Sequence, residues 1–323
     1  MEFAVKRFHN GKRTDISARV GNLSWNDSLD ALGAEFSFTF AQSHHDSNFK
    51  NGLALGDVAK VKYGNDEILR GIITETPING TSYKGYDFAF YLNKSEVVIQ
   101  FKGIAADKAI EQLLKRYDIP HEPIPKMSTL IKKVYKDVTV SDVLLDILKK
   151  HRQESKKSYK MEMYKGKLRF VDKLAIKITP RYTDELGQKV LCTHAANITG
   201  TRSIEELRNK VIVAGNDEKS KQIKAIATAS KSIKKYGLLT AVETVDKITT
   251  AKAKNKAKNI LEDLNKVVVE FTAEMPGNHT VKSGRLLNFD FPELNIKGWY
   301  RVKSCTHTVT GSGYRMSCEM ERL

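Results

Sequence analysis

The most regular stretch of the chain runs from Gly56 to Ile119, and its rhythm changes partway. Val58 and Lys60 alternate with Ala59, Val61 and Tyr63, the two-residue period of a half-buried strand. Gly64, Asn65 and Asp66 mark a turn. The chain returns through Ile68 to Thr74 and turns again in the Pro77, Asn79, Gly80 cluster. Tyr86, Phe88, Phe90 and Leu92 then share one face, so a third strand is expected, completing a β-meander. After Gly103 the period becomes 3.6, with Ala106, Ala109, Ile110, Leu113, Leu114 and Tyr117 on one helical stripe.

The same two rhythms recur along the chain. Residues 1–20 read as an edge strand or arm followed by a strand, and Glu35 to Ala41 sets Phe36, Phe38 and Phe40 against a core. Pro120, Pro123 and Pro125 force an extended linker. Thr139 with Asp142 three residues on starts a helix whose apolar stripe is Val140, Leu144, Ile147, Leu148 and His151. A hairpin follows, Tyr159 to Tyr164 and Leu168 to Val171 about Lys165-Gly166. In a lysine-rich insert, Ala253, Ala257, Ile260, Leu261 and Leu264 hold one face of a helix, and Lys252, Lys254, Lys256 and Lys258 spread over the remainder. The lysine run reads as a solvated face or, alternatively, as contacts to a polyanion or an acidic partner.

The C-terminal part is again β, ending in a hairpin about Gly311-Ser312-Gly313. If Val309 faces Tyr314, then His307 faces Met316 and Cys305 faces Cys318, and this is the buried face. Two adjacent reduced thiols are then expected. The fold class is therefore α+β and β-rich. A β-barrel-like unit is expected at 1–100, an α+β unit at 101–173, and a second β-rich unit at 174–323, the last interrupted at about 216–265 by the basic, partly helical insert.

Across 323 residues, 41% apolar and 28% charged residues are ordinary for a globular protein. The formal net charge of +16 is not, and it suits nucleic acid or acidic protein surfaces. No apolar run is long enough for a membrane span and the N-terminus lacks an apolar signal region, so residence in the cytoplasm where the chain is made is expected. Cys192, Cys305 and Cys318 are too few, and odd in number, for a disulfide framework. The chain carries no zinc-ligand spacing, nucleophile elbow or phosphate loop, so no catalytic, cofactor-binding or metal residue is nominated. His44-His45 and His121-Glu122 read as loop residues, and Asp184-Glu185 and Glu205-Glu206 as surface or cap charges. His307 beside Cys305 suggests either a thiol and base or, preferably, a buried hydrogen-bonded histidine.

The ordered residues Gly56, Asp57, Gly71, Tyr86, Asp87, Tyr91, Leu92, Lys94, Ser95, Phe101 and Ile119 resemble the baseplate hub proteins of contractile-tailed phages and PBSX-like prophages or tail-like bacteriocins. These are distant relatives of the late control protein D group and of the phage T4 hub. Trp25, the run Leu207, Arg208, Asn209, Val211, Val213, Gly215, and the closing Gly298, Tyr300, Val302, His307, Tyr314, Met316 extend the resemblance. It implies two related β-barrel-like tube domains per chain in a homotrimeric ring. It further implies partners in the tail tube protein, the central spike protein and other baseplate proteins, with DNA passage through the ring and a place in the virion or tail-like particle. Two other readings rest on the +16 charge and on the company such hubs keep: a nucleic-acid-binding protein, and a tail-associated cell-wall hydrolase.

Overall fold

The computed structural model describes residues 3–322 except 44–48, 50, 51, 173–175, 184, 185, 187, 192–196, 218, 219, 246 and 247. The N-terminal strands are β1 (Phe3–His9), β2 (Lys12–Asp15), β3 (Val20–Ser28), β4 (Ala34–Phe40), β5 (Val58–Tyr63), β6 (Asp66–Glu75) and β7 (Ser82–Asp87). The expected meander is present as the antiparallel run β5–β6–β7, and β7 continues onto β4. Phe36, Phe38 and Phe40 alternate inward, each 1% exposed, because every second residue of a strand meets the same face. Gly71 and Gly85 lie where β6 and β7 touch so closely that a Cβ on either would collide with backbone of the facing strand. Asp57, at the mouth of β5, accepts the Ala54 N–H at 2.9 Å and pairs with Arg7 of β1 at 2.6 Å.

The third strand is shorter than the alternation suggests. β7 ends at Asp87, and residues 89–94 form helix α1 (Ala89–Lys94) instead. The Asp87 carboxylate accepts the N–H groups of Ala34 and Ala89, both at 2.9 Å, and Phe88 adopts helical torsions, so the chain turns out of the sheet. Phe88 and Phe90 are consequently half-buried residues of this turn and helix, not core residues of a strand.

β8 (Glu96–Ala105), α2 (Ala106–Arg116), β9 (Leu130–Thr139), α3 (Val140–Ser155), β10 (Tyr159–Tyr164) and β11 (Lys167–Asp172) build the α+β part. The capping box of α3 is formed: the Asp142 N–H donates to Thr139 Oγ1 at 3.1 Å, and the Thr139 N–H donates back to the Asp142 carboxylate at 3.4 Å. Its apolar stripe packs on that of α2, and Ile110, Leu113, Leu114, Val143, Leu144 and Ile147 are all fully buried.

The rest comprises β12 (Lys177–Ile178), β13 (Arg181–Thr183), β14 (Lys189–Leu191), β15 (Asn197–Ser203), β16 (Lys210–Asp217), β17 (Ser220–Thr228), α4 (Ser230–Tyr236), β18 (Thr240–Val245), α5 (Thr250–Leu264), β19 (Val268–Pro276), β20 (Leu286–Phe291), β21 (Ile296–Thr310) and β22 (Gly313–Arg322). The hairpin β21–β22 has the expected register, with Cys305 opposite Cys318 and His307 opposite Met316. The two ends of the chain do not form separate sheets. β21 is long enough to give one edge first to β20 and then to β3, joining N- and C-terminal strands in one 13-stranded sheet. That ladder is open, with β2 at one end and β15 at the other.

The insert is more than a lysine helix. β16 is the middle strand of a separate three-stranded sheet, β17–β16–β18, and α5 covers one face of it through Ala253 and Ala257 against Val211, Val213 and Ala225. Asn209, wholly buried, donates from Nδ2 to the Gly237 carbonyl at 2.7 Å and accepts the Leu239 N–H at 2.8 Å, fixing the crossover from α4 to β18.

Candidate functional site

The densest chemistry lies where β3, the β10–β11 hairpin and residues 281–285 meet. Strand β10 departs from simple alternation: Lys160, Met161 and Glu162 are all buried. Lys160 Nζ donates to Asp27 of β3 at 2.7 Å and to the Ser283 carbonyl at 2.9 Å, and also contacts the Ser283 hydroxyl. Asp27 accepts further from the Ser283 backbone N–H at 3.0 Å and hydroxyl at 2.6 Å. Two residues along β10, Glu162 accepts from Arg285 at 2.9 and 3.1 Å and from Arg169 of β11 at 2.7 Å. Three segments far apart in sequence are thus tied by buried, charge-assisted hydrogen bonds.

The charges respond to this setting. Burial raises the Asp27 carboxyl, but Lys160, by charge and hydrogen bond, and Ser283 outweigh it and bring its pKa down to about 2. Burial likewise works against ionised Glu162, and Arg285, Lys160 and Lys282 overcome it, holding the carboxyl below its usual value. Asp87 is the reverse case. Burial pushes it up to about 6, against its two backbone donors and the weaker pull of the Lys282 charge. Burial pushes the Lys282 ammonium down. A cavity of about 40 Å³, room for roughly one water, opens among Asp27, Glu67, Arg70, Lys160 and Lys282. Glu67 Oε1 and Arg70 Nε have no hydrogen-bond partner in its wall. The arrangement suits holding segments in one relative position. The Ser283 hydroxyl does donate to the Asp27 carboxylate, but that carboxylate is held near a pKa of about 2 and bonded to Lys160, so the contact ties segments together and leaves a poor base for activating a hydroxyl.

The second cluster sits under β21. His307 is fully buried, stacks on Trp25 with ring centres 4.7 Å apart, and lies 3.2 Å from Cys305 Sγ. Burial brings its pKa down to about 4, so the ring is neutral: Nε2–H donates to the Val281 carbonyl at 3.0 Å and Nδ1 accepts from the Tyr314 hydroxyl at 2.9 Å. Both ring nitrogens are engaged. Cys305 and Cys318 are free, buried and 2.9 Å apart, and burial raises the Cys305 thiol further from the thiolate.

Among the expected polyanion contacts, Lys252, Lys254 and Lys258 point to solvent on α5, and Lys256 pairs with Glu243 at 3.0 Å. His121 contacts the neighbouring Glu122 carbonyl at 2.9 Å, and Glu205 and Glu206 are exposed. His44-His45, Asp184-Glu185 and Cys192 lie outside the described residues. Among the described residues no group of three His, Cys, Asp or Glu side chains is placed to hold a metal, and no helix is long and apolar enough to cross a membrane. Sequence reasoning did not anticipate Asp27, Lys160, Glu162 or Arg285. The one local hint was Arg285 beside Gly284, between apolar Val281 and Leu286.

A family model described as YQBQ-like matches residues 23–321. Two proteins of Bacillus subtilis strain 168 are similar over 274 residues, 82% of this chain and 81% of each of them. The phage-like element PBSX protein XkdQ is 29% identical and YqbQ is 28% identical. Among solved structures, the 43 kDa tail protein of prophage MuSo2 from Shewanella oneidensis superposes with a TM-score of 0.69 at 12% identity, covering 98% of both chains.

Proposed function

The chain belongs to the YqbQ-like family of phage-tail proteins, a structural family rather than an enzymatic one, and on that premise we propose that it is the baseplate hub of a contractile phage tail or tail-like particle. Three copies form a ring. Each contributes two barrel-like units, built from the β1–β7 strands and from the β15 and β19–β22 strands, so that six similar positions meet a six-fold tail tube on one side and a three-fold spike on the other. The boundaries 1–100, 101–173 and 174–323, with the insert at about 216–265, are the working division of these units.

The observation that supports this most is the shared strand β21, which pairs with β20 along one half and β3 along the other. A symmetry adaptor must keep its two units at a fixed mutual angle, since an error there is repeated round the ring. Continuous backbone pairing and the buried Asp27–Lys160–Ser283 and Glu162–Arg285 contacts oppose relative motion of the two halves. DNA passes through the ring, and the chain is assembled in the bacterial cytoplasm before joining the particle.

Gold-labelled antibody against the chain, applied to purified particles, tests the position. Label confined to the distal end of the tail, at the tube–spike boundary, is expected. Label along the tube, or none on intact particles carrying a spike, would overturn the reading.

A further inference from the structure

The insert sheet has one face sealed by α5, and its other face carries the wrong residues for solvent. Ile212 of β16 lies directly between Ile226 of β17 and Val242 of β18, so the three form an apolar row across all three strands. Ile223 extends that row on the same face, opposite Ala214. Ile226, Val242 and Ile223 are 52%, 64% and 62% exposed. Single exposed apolar side chains are ordinary, but a contiguous set of β-branched ones on an already sealed sheet marks a surface that is covered in use.

The surroundings select the cover. Across the Lys210 end of the sheet runs α4, whose N-terminal neighbour Ala229 donates to the Asn209 carbonyl and whose C-terminal neighbour Gly237 accepts from Asn209. It presents Lys231, Lys234 and Lys235 to solvent, none of them in an ion pair among the described residues. The residues of the outer face in described register (Lys210, Ile212, Ala214, Ile223, Ile226, Thr228, Thr240, Val242 and Thr244) include no carboxylate. A second copy would set lysines against lysines. Phosphate backbones would meet the lysines but leave the apolar row uncovered.

We propose that this face docks a partner protein of the tail particle through an apolar patch bordered on one side by carboxylates. The partner's place in the particle rests on the hub reading; the chemistry of the contact does not. Apolar contact in the centre with opposite charge at the rim is the ordinary anatomy of a protein interface.

The test uses the full chain, with p-benzoylphenylalanine in place of Ile226 or, as a control, of Tyr91, in cells producing the particle. Particles are purified, probed for the chain by immunoblot, and irradiated. The expected result is an adduct from position 226 alone to one tail protein, at a peptide containing Asp or Glu. Replacing the rim lysines together (Lys231→Glu, Lys234→Glu, Lys235→Glu) should lower its yield about tenfold while the thermal melt is unchanged. The proposal is overturned by a chain present in the particle with no adduct at 226, by an adduct to a second copy or to DNA, or by a yield indifferent to the rim charges. Flotation with phosphatidylglycerol vesicles that is lost on Ile226→Glu would also overturn it, in favour of a membrane. Absence of the chain from particles would overturn the hub reading and this proposal together, an outcome distinct from the others.

Discussion

At the junction, Lys160, Glu162 and Arg285 are charges taken out of water and Asp27 is mostly so; on the insert sheet, Ile223, Ile226 and Val242 are apolar groups left in it. Each region departs from the usual distribution, in opposite directions, and the departures differ in what satisfies them. Each of these four charges has its partner inside the same chain, with distances near 2.7–3.1 Å, so that set is complete as it stands. The insert face has no partner among the described residues, and in the proposed reading it is completed by another molecule. Buried charge here holds units of one protein together, whereas exposed apolar surface is reserved for assembly.

The comparison breaks most sharply at Glu162. Glu162→Gln leaves Arg285 buried and without its counter-charge, and weakens Arg169 and Lys160 at the same time. Removing one member of a buried pair costs about 3–5 kcal/mol, so urea denaturation should register a loss of that order. A loss below about 1 kcal/mol would show that the junction is wetter than its geometry indicates.

The next effect is the pH dependence carried by the two buried aspartates, which have opposite signs. Asp27 falls from 3.8 to about 2 on folding, so its ionised form stabilises the fold above the unfolded value, and that contribution is lost as pH drops from about 4 towards 2. At roughly 1.4 kcal/mol per unit this amounts to about 2.5 kcal/mol at neutral pH, and Asp27→Asn should remove it. Asp87 rises to about 6. Its contribution is full below 3.8 and is lost as pH climbs through 6, so Asp87→Asn should flatten the slope of melting temperature against pH between about 4 and 6. A slope unchanged by the substitution would contradict the assignment.

On the insert face the expectation is near silence in stability. Ile226→Lys or Val242→Lys should move unfolding by less than about 0.5 kcal/mol, because both side chains are more than half exposed. Lys254→Ser on α5 should be smaller still, since Lys254 is exposed and unpaired among the described residues. Either insert-face variant destabilising the isolated chain by several kcal/mol would mean that the face is already covered, and the contrast between the two regions would collapse.

What the amino-acid sequence disclosed followed the range of the interactions. The α3 cap joins residues three apart, the β21–β22 register follows from a two-residue loop, and the Phe36, Phe38, Phe40 face needs only strand alternation. The strand expected through Phe90 failed because its end is set by Asp87 bonding to Ala34, 53 residues away. The pairing of β21 with β3 and the bond between Asp27 and Ser283, 256 residues apart, leave no local trace, and lysines and glutamates in a short hairpin read as solvent-facing. The insert sheet was hidden by its own lysines, which drew attention to α5 and away from the apolar row.

The central claim, a ring-forming adaptor, is tested most directly by mass. Light scattering on a size-exclusion column should be run on the full chain across concentration, alone and with purified tail tube and spike proteins. The account predicts a species of three chains of 36.4 kDa each, alone or within the complex. A single chain per complex in the presence of both proteins would contradict it.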